Sequence, residues 1–393
     1  MKEFDSNVNI IGGGLIGSLT AYSLSKLGYT VSILEKKKSF KNNTFKDQRT
    51  IAISEGTKNF LNFIGIWSKI SHYCEEIKSI KVIDRKLFNQ LNFDNSRRNS
   101  SLGYIIKNKQ LFDIIYSEIK QISNITIFNE INISDIQVNL EKIITNTNKV
   151  KVSSDLNIAA DGKNSFVRKF YKTVSYNKNY KKSALVLILN HSKNHNCTAF
   201  ELFYKNGPLA ILPMKKEKKS FCSSIVWTNN NKFINSLSEM DEDKLISILN
   251  KETQNCIGNI KKIISRQVFP ISAHLNSRFY EKKTIFIGDA AHSFHPIAGQ
   301  GWNLGMKDIY NLHKLVSNYK HLGIEIGNDF FCKKYHDENF FNAYRLFQVT
   351  DKLDSIFKIN SPLFNLLRSS GIKIINNNTK LKNLISDFAM GVN

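Results

Sequence analysis

The chain has 393 residues, of which 41% are hydrophobic and 11% aromatic, so it is long enough to bury a sizeable core and its composition excludes a disordered protein. Its 56 basic and 33 acidic residues give a net charge of +23, but no helix-turn-helix, zinc-finger or aromatic RNA-binding motif occurs, so no nucleic-acid partner is predicted. The five scattered cysteines include no CxxC pair, which excludes a disulfide framework and fits a reduced cytoplasmic compartment.

The positive charge has two interpretations. It attracts the protein to an acidic membrane surface, or it reflects a compositional bias, since Lys, Asn and Ile are overused together along the whole chain. We favour the bias, because the lysines form no single block. No stretch of 18 apolar residues and no secretory signal is present, so we expect a cytoplasmic protein. Peripheral binding to the inner membrane is compatible with this location.

The first predicted elements are a strand, a helix and a second strand. Residues 7–12 (NVNIIG) form a short apolar strand, residues 18–29 carry an apolar stripe at helical spacing, and residues 30–35 (TVSILE) form the second strand. The turn after the first strand is glycine-rich (GGGLIG), and the second strand ends on an acid. This order of elements is typical of a dinucleotide-binding unit.

Each part of this unit has a physical task. Gly12 permits the tight turn, Gly14 lets a pyrophosphate approach the backbone, and Gly17 lets the helix pack closely on the strand. The helix N-terminus then faces the phosphate charge, and Glu35 accepts hydrogen bonds from an adenosine ribose. Lys36 either contacts the adenosine side of the cofactor or, as we prefer, belongs to a solvent-exposed run of lysines. The predicted cofactor contacts here are Gly12, Gly14, Leu15, Ile16, Gly17, Glu35 and Lys36.

The middle of the chain predicts a β-rich unit. Within residues 171–272, the segments SALVLILNHS, GPLAILPM and KSFCSSIVWT are rich in β-branched and apolar residues and are separated by polar stretches. Several strands are therefore expected there.

Residues 285–308 (IFIGDAAHSFHPIAGQGWNLGMKD) identify the kind of dinucleotide. A predicted strand ends in Gly288-Asp289, where a carboxylate can hold the hydroxyls of a polyol chain. The glycines from Gly299 to Asn303 open a long helix, and their N–H groups form a cradle for negative charge on a flavin ring. FAD contains both a ribityl chain and such a ring, and NAD has no ribityl chain. FAD is therefore the predicted cofactor.

His292 and His295 in this segment are three residues apart, a spacing that raises the question of a metal. No carboxylate or cysteine is spaced to complete a ligand set, so no metal is predicted. His292 is interpreted as a packed, hydrogen-bonded residue under the loop. His295 is more open because Pro296 forces an extended turn after it, and these two residues are the candidate substrate contacts.

The last part of the chain, residues 326–393, is predicted to be mainly helical. Between residues 356 and 388, large apolar residues alternate with lysines and an arginine, and Asp387 is the only acid. Such a segment can lie in a membrane interface. The alternatives are a helix packed on the cofactor domain or docked on a partner protein.

Three motifs together resemble the group A FAD-dependent aromatic hydroxylases, the para-hydroxybenzoate hydroxylase type. They are IIGGGLIG, then AADGKNSFVRK at 159–169, then GDAAHSFHPIAGQGWNLGMKD. The resemblance implies that Asp161 lies near the pyrophosphate, and that Arg49 in DQRTIAIS lies near the flavin. It also implies a ribityl contact at Gly288 and Asp289.

The chain is more similar to the ubiquinone-biosynthesis hydroxylases of the UbiH, UbiI and UbiF group, on HPIAGQGWNLGMKD, FELFYKNGPLAILPM and the C-terminal segment 359–391. Two residues depart from the common pattern. Trp302 stands where a smaller residue is usual, and Asn108 stands where many relatives outside this group have a flavin-contacting Arg. The implied flavin contacts are Arg49, Asn108, Gly299, Gly301, Trp302 and Asn303.

The resemblance implies an α/β fold with a Rossmann-like, discontinuous FAD-binding domain, an inserted β-rich substrate domain and C-terminal helices. The expected bounds are 1–75, 100–170 and 273–325 for the first, 76–99 and 171–272 for the second, and 326–393 for the third.

The implied reaction is hydroxylation of the aromatic ring of a polyprenyl phenol in ubiquinone biosynthesis, with NAD(P)H as reductant and O2 activated as a flavin C4a-hydroperoxide. The implied partners are that phenol, O2 and a complex of biosynthetic proteins. Two alternatives stay open. One is a flavoprotein of the same fold that acts on another aromatic or lipid substrate, and the other is a non-catalytic, basic, membrane-associated scaffold.

Overall fold

The computed structural model describes residues 2–38, 47–86, 89–94, 101–217, 220–294, 299–358 and 374–391. The strands in these ranges are β1 (Lys2–Ile11), β2 (Val31–Glu35), β3 (Thr50–Ile53), β4 (Glu75–Ile77), β5 (Ser79–Asp84), β6 (Gln90–Asp94), β7 (Gly103–Lys107), β8 (Ile125–Asn129), β9 (Ile133–Val138), β10 (Ile143–Thr147), β11 (Val150–Ala159), β12 (Ser175–His191), β13 (Thr198–Tyr204), β14 (Gly207–Glu217), β15 (Ser220–Asn230), β16 (Ile260–Asn276), β17 (Tyr280–Glu281), β18 (Thr284–Phe286) and β19 (His292–Ser293).

The helices are α1 (Leu15–Ser25), α2 (Glu55–Phe63), α3 (Trp67–Ile70), α4 (Asn108–Ile119), α5 (Phe166–Phe170), α6 (Asn231–Glu239), α7 (Glu242–Ile257), α8 (Gln300–His321), α9 (Asp329–Lys358) and α10 (Thr379–Met390). The mixed α/β class predicted from the sequence is confirmed.

The first sheet has the strand order β17-β18-β11-β1-β2-β8, and β9 and β10 extend it from β11. Strands β18, β11, β1, β2 and β8 are parallel to one another. Because parallel strands end at the same edge of a sheet, the residues that follow them lie together there, and ligands of open α/β sheets bind at this edge. The residues so gathered are Gly12, Glu35, Asp161, Gly288 and Asp289.

The second sheet has the order β19-β16-β12-β15-β14-β13-β5-β6, which confirms the strands expected within residues 171–272. Helices α6 and α7 pack on its outer face over a cluster that includes Leu187 and Leu209. These two helices were not predicted from the sequence. Its inner face carries Ile188, Met214 and Cys222. This inner face is turned toward β3, since Thr50 Oγ1 donates a hydrogen bond to Ser224 Oγ at 3.1 Å.

The C-terminal helices join the two sheet systems. Helix α9 lies along α8, and Tyr335 Oη donates a hydrogen bond to the Phe286 carbonyl at the end of β18. At the end of α10, Met390 is buried in the apolar cluster of the inner face. Of the segment proposed for membrane contact, residues 359–373 lie outside the described residues, and none of the helices in the described part of the chain has the length and apolar character to cross a membrane.

A glycine in α2 makes room for the end of α10. A Cβ atom at Gly56 would lie 2.2 Å from the carbonyl oxygen of Gly391. Gly56→Ala should therefore push the end of α10 away, although alanine favours α2 itself by about 1 kcal/mol. We expect faster amide hydrogen exchange over residues 379–390. The exposed α2 residue Asn62 provides the control, Asn62→Ala; equal exchange in the two variants would show that α10 is not held at this point.

Candidate cofactor-binding and active site

The glycine turn between β1 and α1 combines two tight contacts with one open position. Gly12 has φ +109°, and a Cβ there would lie 2.5 Å from the carbonyl oxygen of Ala160. A Cβ at Gly17 would lie 1.9 Å from the Gly12 carbonyl oxygen, so α1 packs directly on the end of β1. A Cβ at Gly14, in contrast, would meet no described protein atom within 4 Å. Packing thus accounts for two of these glycines, and the space before Gly14 is available to a ligand.

Ile16 and Leu15 have packing roles. The Ile16 side chain fills the space left by two glycines, since a Cβ at Gly288 would lie 3.2 Å from it and a Cβ at Gly305 would lie 2.9 Å from it. Leu15 is partly buried against the main core. Ile16 therefore fixes the distance between α1, α8 and the loop after β18, and any contact of these two residues with a cofactor would come from their backbone.

Glu35, the predicted ribose contact, holds the glycine turn. Its Oε2 accepts a hydrogen bond from Gly13 N at 2.7 Å, and its Oε1 accepts one from Lys37 N at 2.8 Å. Each carboxylate oxygen can accept a second bond, so the predicted ribose contact is compatible with this geometry. Lys36 is exposed, as a member of a solvated run would be.

The motif that begins at Asp161 connects β11 with the loop after β18. Asp161 Oδ2 accepts a hydrogen bond from Val167 N at 3.2 Å, whereas Oδ1 is buried without a described partner, and burial raises the pKa of this carboxyl. Arg168, in the same motif, donates from Nη1 to the Ala290 carbonyl at 3.1 Å and also contacts His274 Nε2 at 3.0 Å. The motif thus holds the segment that carries Asp289.

A buried carboxylate fixes the loop after β18. Asp308 Oδ2 accepts hydrogen bonds from Gly288 N at 3.0 Å and from His292 Nε2 at 2.7 Å, and both side chains are 1% exposed. His292 is therefore the packed, hydrogen-bonded residue that the sequence predicted. Asp308 was missed, although an acid on the apolar face of a predicted helix indicates a buried partner.

Asp289 lines a cleft. Its side chain is solvent-accessible, yet protein surrounds it closely enough that burial raises the pKa of its carboxyl, against the lowering effects of His292, Arg49 and Lys163. A carboxylate that is both accessible and enclosed belongs to an internal opening rather than to the outer surface. This position suits the predicted bonds to polyol hydroxyls.

The start of α8 approaches β3. Gly299 has φ +61° and caps α8, and a Cβ at Gly301 would meet no described atom within 4 Å. The indole Nε1 of Trp302 is buried without a described partner. The first turn of α8 therefore offers backbone N–H groups, an open space and one unpaired donor at the same place, a combination that fits an electron-rich ring.

Three predicted flavin contacts bond mainly to protein. The amide of Asn303 accepts from Ser54 N and donates to the Ala52 carbonyl, each at 2.9 Å, so it clamps α8 to β3 and α2. The Asn108 Nδ2 donates to Asp47 Oδ2 at 2.5 Å. Arg49 donates to the same carboxylate from Nε and Nη2, and Asp47 thereby joins Arg49 to Asn108. These contacts to FAD stay predictions.

The predicted substrate contacts His295 and Pro296 lie outside the described residues. Elsewhere, Glu75, His195 and Cys197 bring potential metal-ligating atoms within 4.8 Å of one another. Both ring nitrogens of His195 already form hydrogen bonds, with Cys197 N and with the Met214 carbonyl at 3.1 Å each. An ion would have to break one of them, so this cluster is a structural one.

Gly14→Val tests the open position of the turn. The side chain points into space that no described protein atom occupies, so we expect the fold to be retained and bound flavin to be lost. Flavin absorbance of the purified variant and its circular dichroism spectrum give the two readings. Gly17→Val is the control that should lose both, because its Cβ meets the backbone of Gly12. Normal flavin content in Gly14→Val would contradict the assignment of this space.

Asp308→Ala tests the loop clamp. It leaves the buried N–H groups of Gly288 and His292 without an acceptor, and each such group costs about 1–3 kcal/mol. We expect the free energy of unfolding in urea to fall by about 2–6 kcal/mol and FAD affinity to fall with it, because the loop carries Asp289. The exposed α9 residue Asp337 provides the control, Asp337→Ala. Equal stability of the two variants would contradict the clamp.

Comparison with known proteins places this geometry in a family. The model of the family described as FAD binding domain matches residues 5–322. The chain is 26% identical to the mitochondrial ubiquinone biosynthesis monooxygenase COQ6 of Dictyostelium discoideum, over 99% of this chain and 92% of that one. It is also 26% identical to the ubiquinone hydroxylase UbiL of Rhodospirillum rubrum, over 98% and 90%. The p-nitrophenol 4-monooxygenase PnpA from Pseudomonas putida superposes with a TM-score of 0.80 at 15% identity, over 99% and 98% of the two chains.

Proposed function

Since this chain belongs to the FAD-binding family of flavoproteins, we propose that it is an FAD- and NAD(P)H-dependent monooxygenase that hydroxylates the ring of a polyprenyl phenol in ubiquinone biosynthesis. The observation that carries the substrate class is the similarity to ubiquinone hydroxylases over nearly the whole chain, including the second sheet. The predicted cofactor is thereby confirmed as FAD.

The residues at the edge of the first sheet fit this cofactor. Gly14 leaves room for the pyrophosphate beside the N-terminus of α1, and Asp289 lies in the cleft as an acceptor for ribityl hydroxyls. The first turn of α8, with Gly299 and Gly301, would hold the ring and stabilise negative charge on it. Bound FAD supplies the redox chemistry, in which NAD(P)H is oxidised and one oxygen atom of O2 is inserted into the substrate.

The protein contributes shielding and orientation. The inner face of the second sheet places Ile188, Met214 and Cys222 in an apolar cluster with Ala52, and Ala52 adjoins the Gly299 turn. An apolar wall beside the ring excludes water and accommodates an aromatic head group with an isoprenoid chain.

Oxygen insertion tests the proposal. The FAD-bound enzyme is given NADH or NADPH, a short-chain 2-prenylphenol and ¹⁸O₂, and the product is analysed by mass. We expect a product that contains one ¹⁸O atom, and no product with Gly14→Val. Oxidation without incorporation of ¹⁸O would instead favour a flavoprotein that transfers hydride to or from another substrate. A purified protein without flavin would favour the scaffold.

We also propose peripheral membrane contact through α10. A polyprenyl chain is almost insoluble in water, and Leu384 is 60% exposed on a helix that also presents Lys380 to solvent and carries the half-buried Lys382. Exposed apolar and basic residues together favour an anionic lipid surface, with about 1 kcal/mol for each cation near it. Partner proteins of a biosynthetic complex are the alternative occupants of the same surface.

Leu384→Ser separates membrane contact from folding, which removal of α10 would not do because Met390 is part of the core. Burial of a leucine is worth about 1.5–3 kcal/mol, so we expect binding to anionic vesicles to weaken by about 10- to 150-fold. Leu322, which is 70% exposed at the end of α8, provides the control, Leu322→Ser. Equal co-sedimentation of both variants with vesicles would contradict the role of α10.

A further inference from the structure

The inner face of the second sheet carries an unpaired carboxylate, that of Glu201 on β13. The neighbouring residues Phe200, Leu202 and Tyr204 all pack in the outer cluster. Because successive side chains of a strand point to opposite faces, Glu201 points to the inner face. Ala199, two residues earlier, lies in the inner cluster, which confirms this orientation.

The sheet register places Glu201 in a cross-strand row of inner-face residues whose far end contacts the cofactor domain. Its cross-strand partners are Val82 on β5 and Ala210 on β14. The same row continues across β15 and β12 to Gln267, whose Oε1 accepts a hydrogen bond from Gln48 N at 3.1 Å. Gln48 directly precedes Arg49 and β3. The inner face that carries Glu201 is therefore the face on which the chain before Arg49 and β3 packs.

This row borders an opening. On the outer face, Leu202, Leu209 and Ile225 are at most 1% exposed. On the inner face, the members of the row that are partly exposed are Val82, Glu201, Ala210, Val226 and Gln267. Helices seal one side of the sheet, and the other side retains accessible surface although β3 and β7 are turned toward it.

The apolar cluster beside Glu201 reaches the start of α8. Ala199 lies about 7 Å from Glu201 along the strand and belongs to the same cluster as Ala52. A Cβ built on Gly299 would lie 3.3 Å from the Ala52 side chain. The carboxylate and the proposed ring position thus lie along one continuous apolar surface.

No described residue forms an ion pair or a hydrogen bond with the Glu201 carboxylate. On β5, Lys81 covers the Phe200 ring on the outer face, and Asp84 lies further along the inner face; β14 carries no charged residue before Lys215, and Lys107 on β7 is paired with Glu217. None of these charges changes its acidity, and burial alone raises the pKa of Glu201 to about 7. An enclosed carboxylate without a partner costs stability, and such groups occur at functional sites.

We propose that Glu201 is the catalytic base that accepts the proton of the substrate's phenolic hydroxyl. This role rests on the proposed function, because it requires a phenol in the opening. The phenolic O–H bond breaks, an O–H bond forms on Glu201, and the substrate becomes a phenolate, whose ring is a better nucleophile toward oxygen. After the ring has been hydroxylated, Glu201 returns the proton to the same oxygen of the product, so the base is regenerated.

The acidity of Glu201 suits this step. A phenol has a pKa of about 10, so proton transfer to an ordinary glutamate is unfavourable by a factor on the order of 10⁵–10⁶. For a carboxylate with a pKa of about 7, the factor is on the order of 10³. A base whose pKa lies near the working pH is partly present as the free carboxylate, and it also binds the proton more tightly than an ordinary glutamate does.

The test compares Glu201→Gln with Glu239→Gln, which changes an exposed glutamate of α6 on the outer side of the same sheet. Hydroxylation of a 2-prenylphenol by the FAD-bound enzyme is followed against pH. In the unmodified protein and in the control, kcat should rise through an apparent pKa of about 7. In Glu201→Gln, kcat at pH 7 should fall on the order of 100-fold, and should recover as the phenol itself ionises at higher pH. KM should change little, because the amide oxygen still accepts a hydrogen bond.

A second reading does not depend on turnover. Infrared difference spectra of the oxidised protein should show a protonated carboxyl band that titrates near pH 7, shifts when the phenol is added and is absent from Glu201→Gln. Glu201→Asp, which keeps the carboxylate, should retain both the band and the rising limb of the pH profile.

The outcomes distinguish the two proposals. A band that responds to the phenol without oxygen insertion would refute the hydroxylase function and leave Glu201 as the group that faces the phenol. Oxygen insertion with the same pH profile in Glu201→Gln and Glu239→Gln, and a band that ignores the phenol, would refute the role of Glu201 and leave the hydroxylase function intact.

Discussion

The direct packing of α1 on the end of β1 is the contact on which the rest of the site depends. With no side chain at Gly17, the helix starts against the Gly12 carbonyl and its first N–H groups point along the edge where the parallel strands end. Glu35, Asp161 and Asp289 reach this edge from three other strands. Because the strands are parallel, residues that are remote in sequence lie at the edge where we propose that FAD binds, and a bulkier residue at Gly17 would displace the helix from all of them.

The proposed catalytic position lies at the boundary between two sheets rather than within either. The Asn303 amide ties the start of α8 to β3 and α2, and Thr50 ties β3 to the inner face of the second sheet. Met390 closes the same cluster from the C-terminal side. A ring held by α8 and a phenol on the second sheet would therefore keep a fixed distance, since hydrogen bonds and apolar packing connect their two supports.

Local signals allowed the cofactor half of the site to be predicted. A strand, a glycine turn, a helix and an acid within some thirty residues define their own geometry. The hydrogen bonds that Asn303 and Asn108 form with protein groups were not predicted. Their partners, Ser54 and Asp47, lie far away in sequence, and no local pattern encodes such bonds. Glu201 was not predicted as a site residue for another reason. A polar residue in an alternating strand is normally taken to face water, but both faces of this sheet adjoin protein, and period-two alternation cannot reveal that.

The contact between α1 and α8 has a consequence for the order of synthesis. Ser23 Oγ and His313 Nδ1 are hydrogen-bonded across a separation of 290 residues. At ribosomal rates of about 5–20 residues per second, the interval between the two residues is about 15–60 s. During this time α1 can pack on β1 and α4, while the residues proposed to hold the ribityl chain and the ring have not yet been made. With these proposed contacts, a nascent chain can bind only the adenosine end of FAD, and stable insertion of the flavin would be one of the last events in the maturation of this protein.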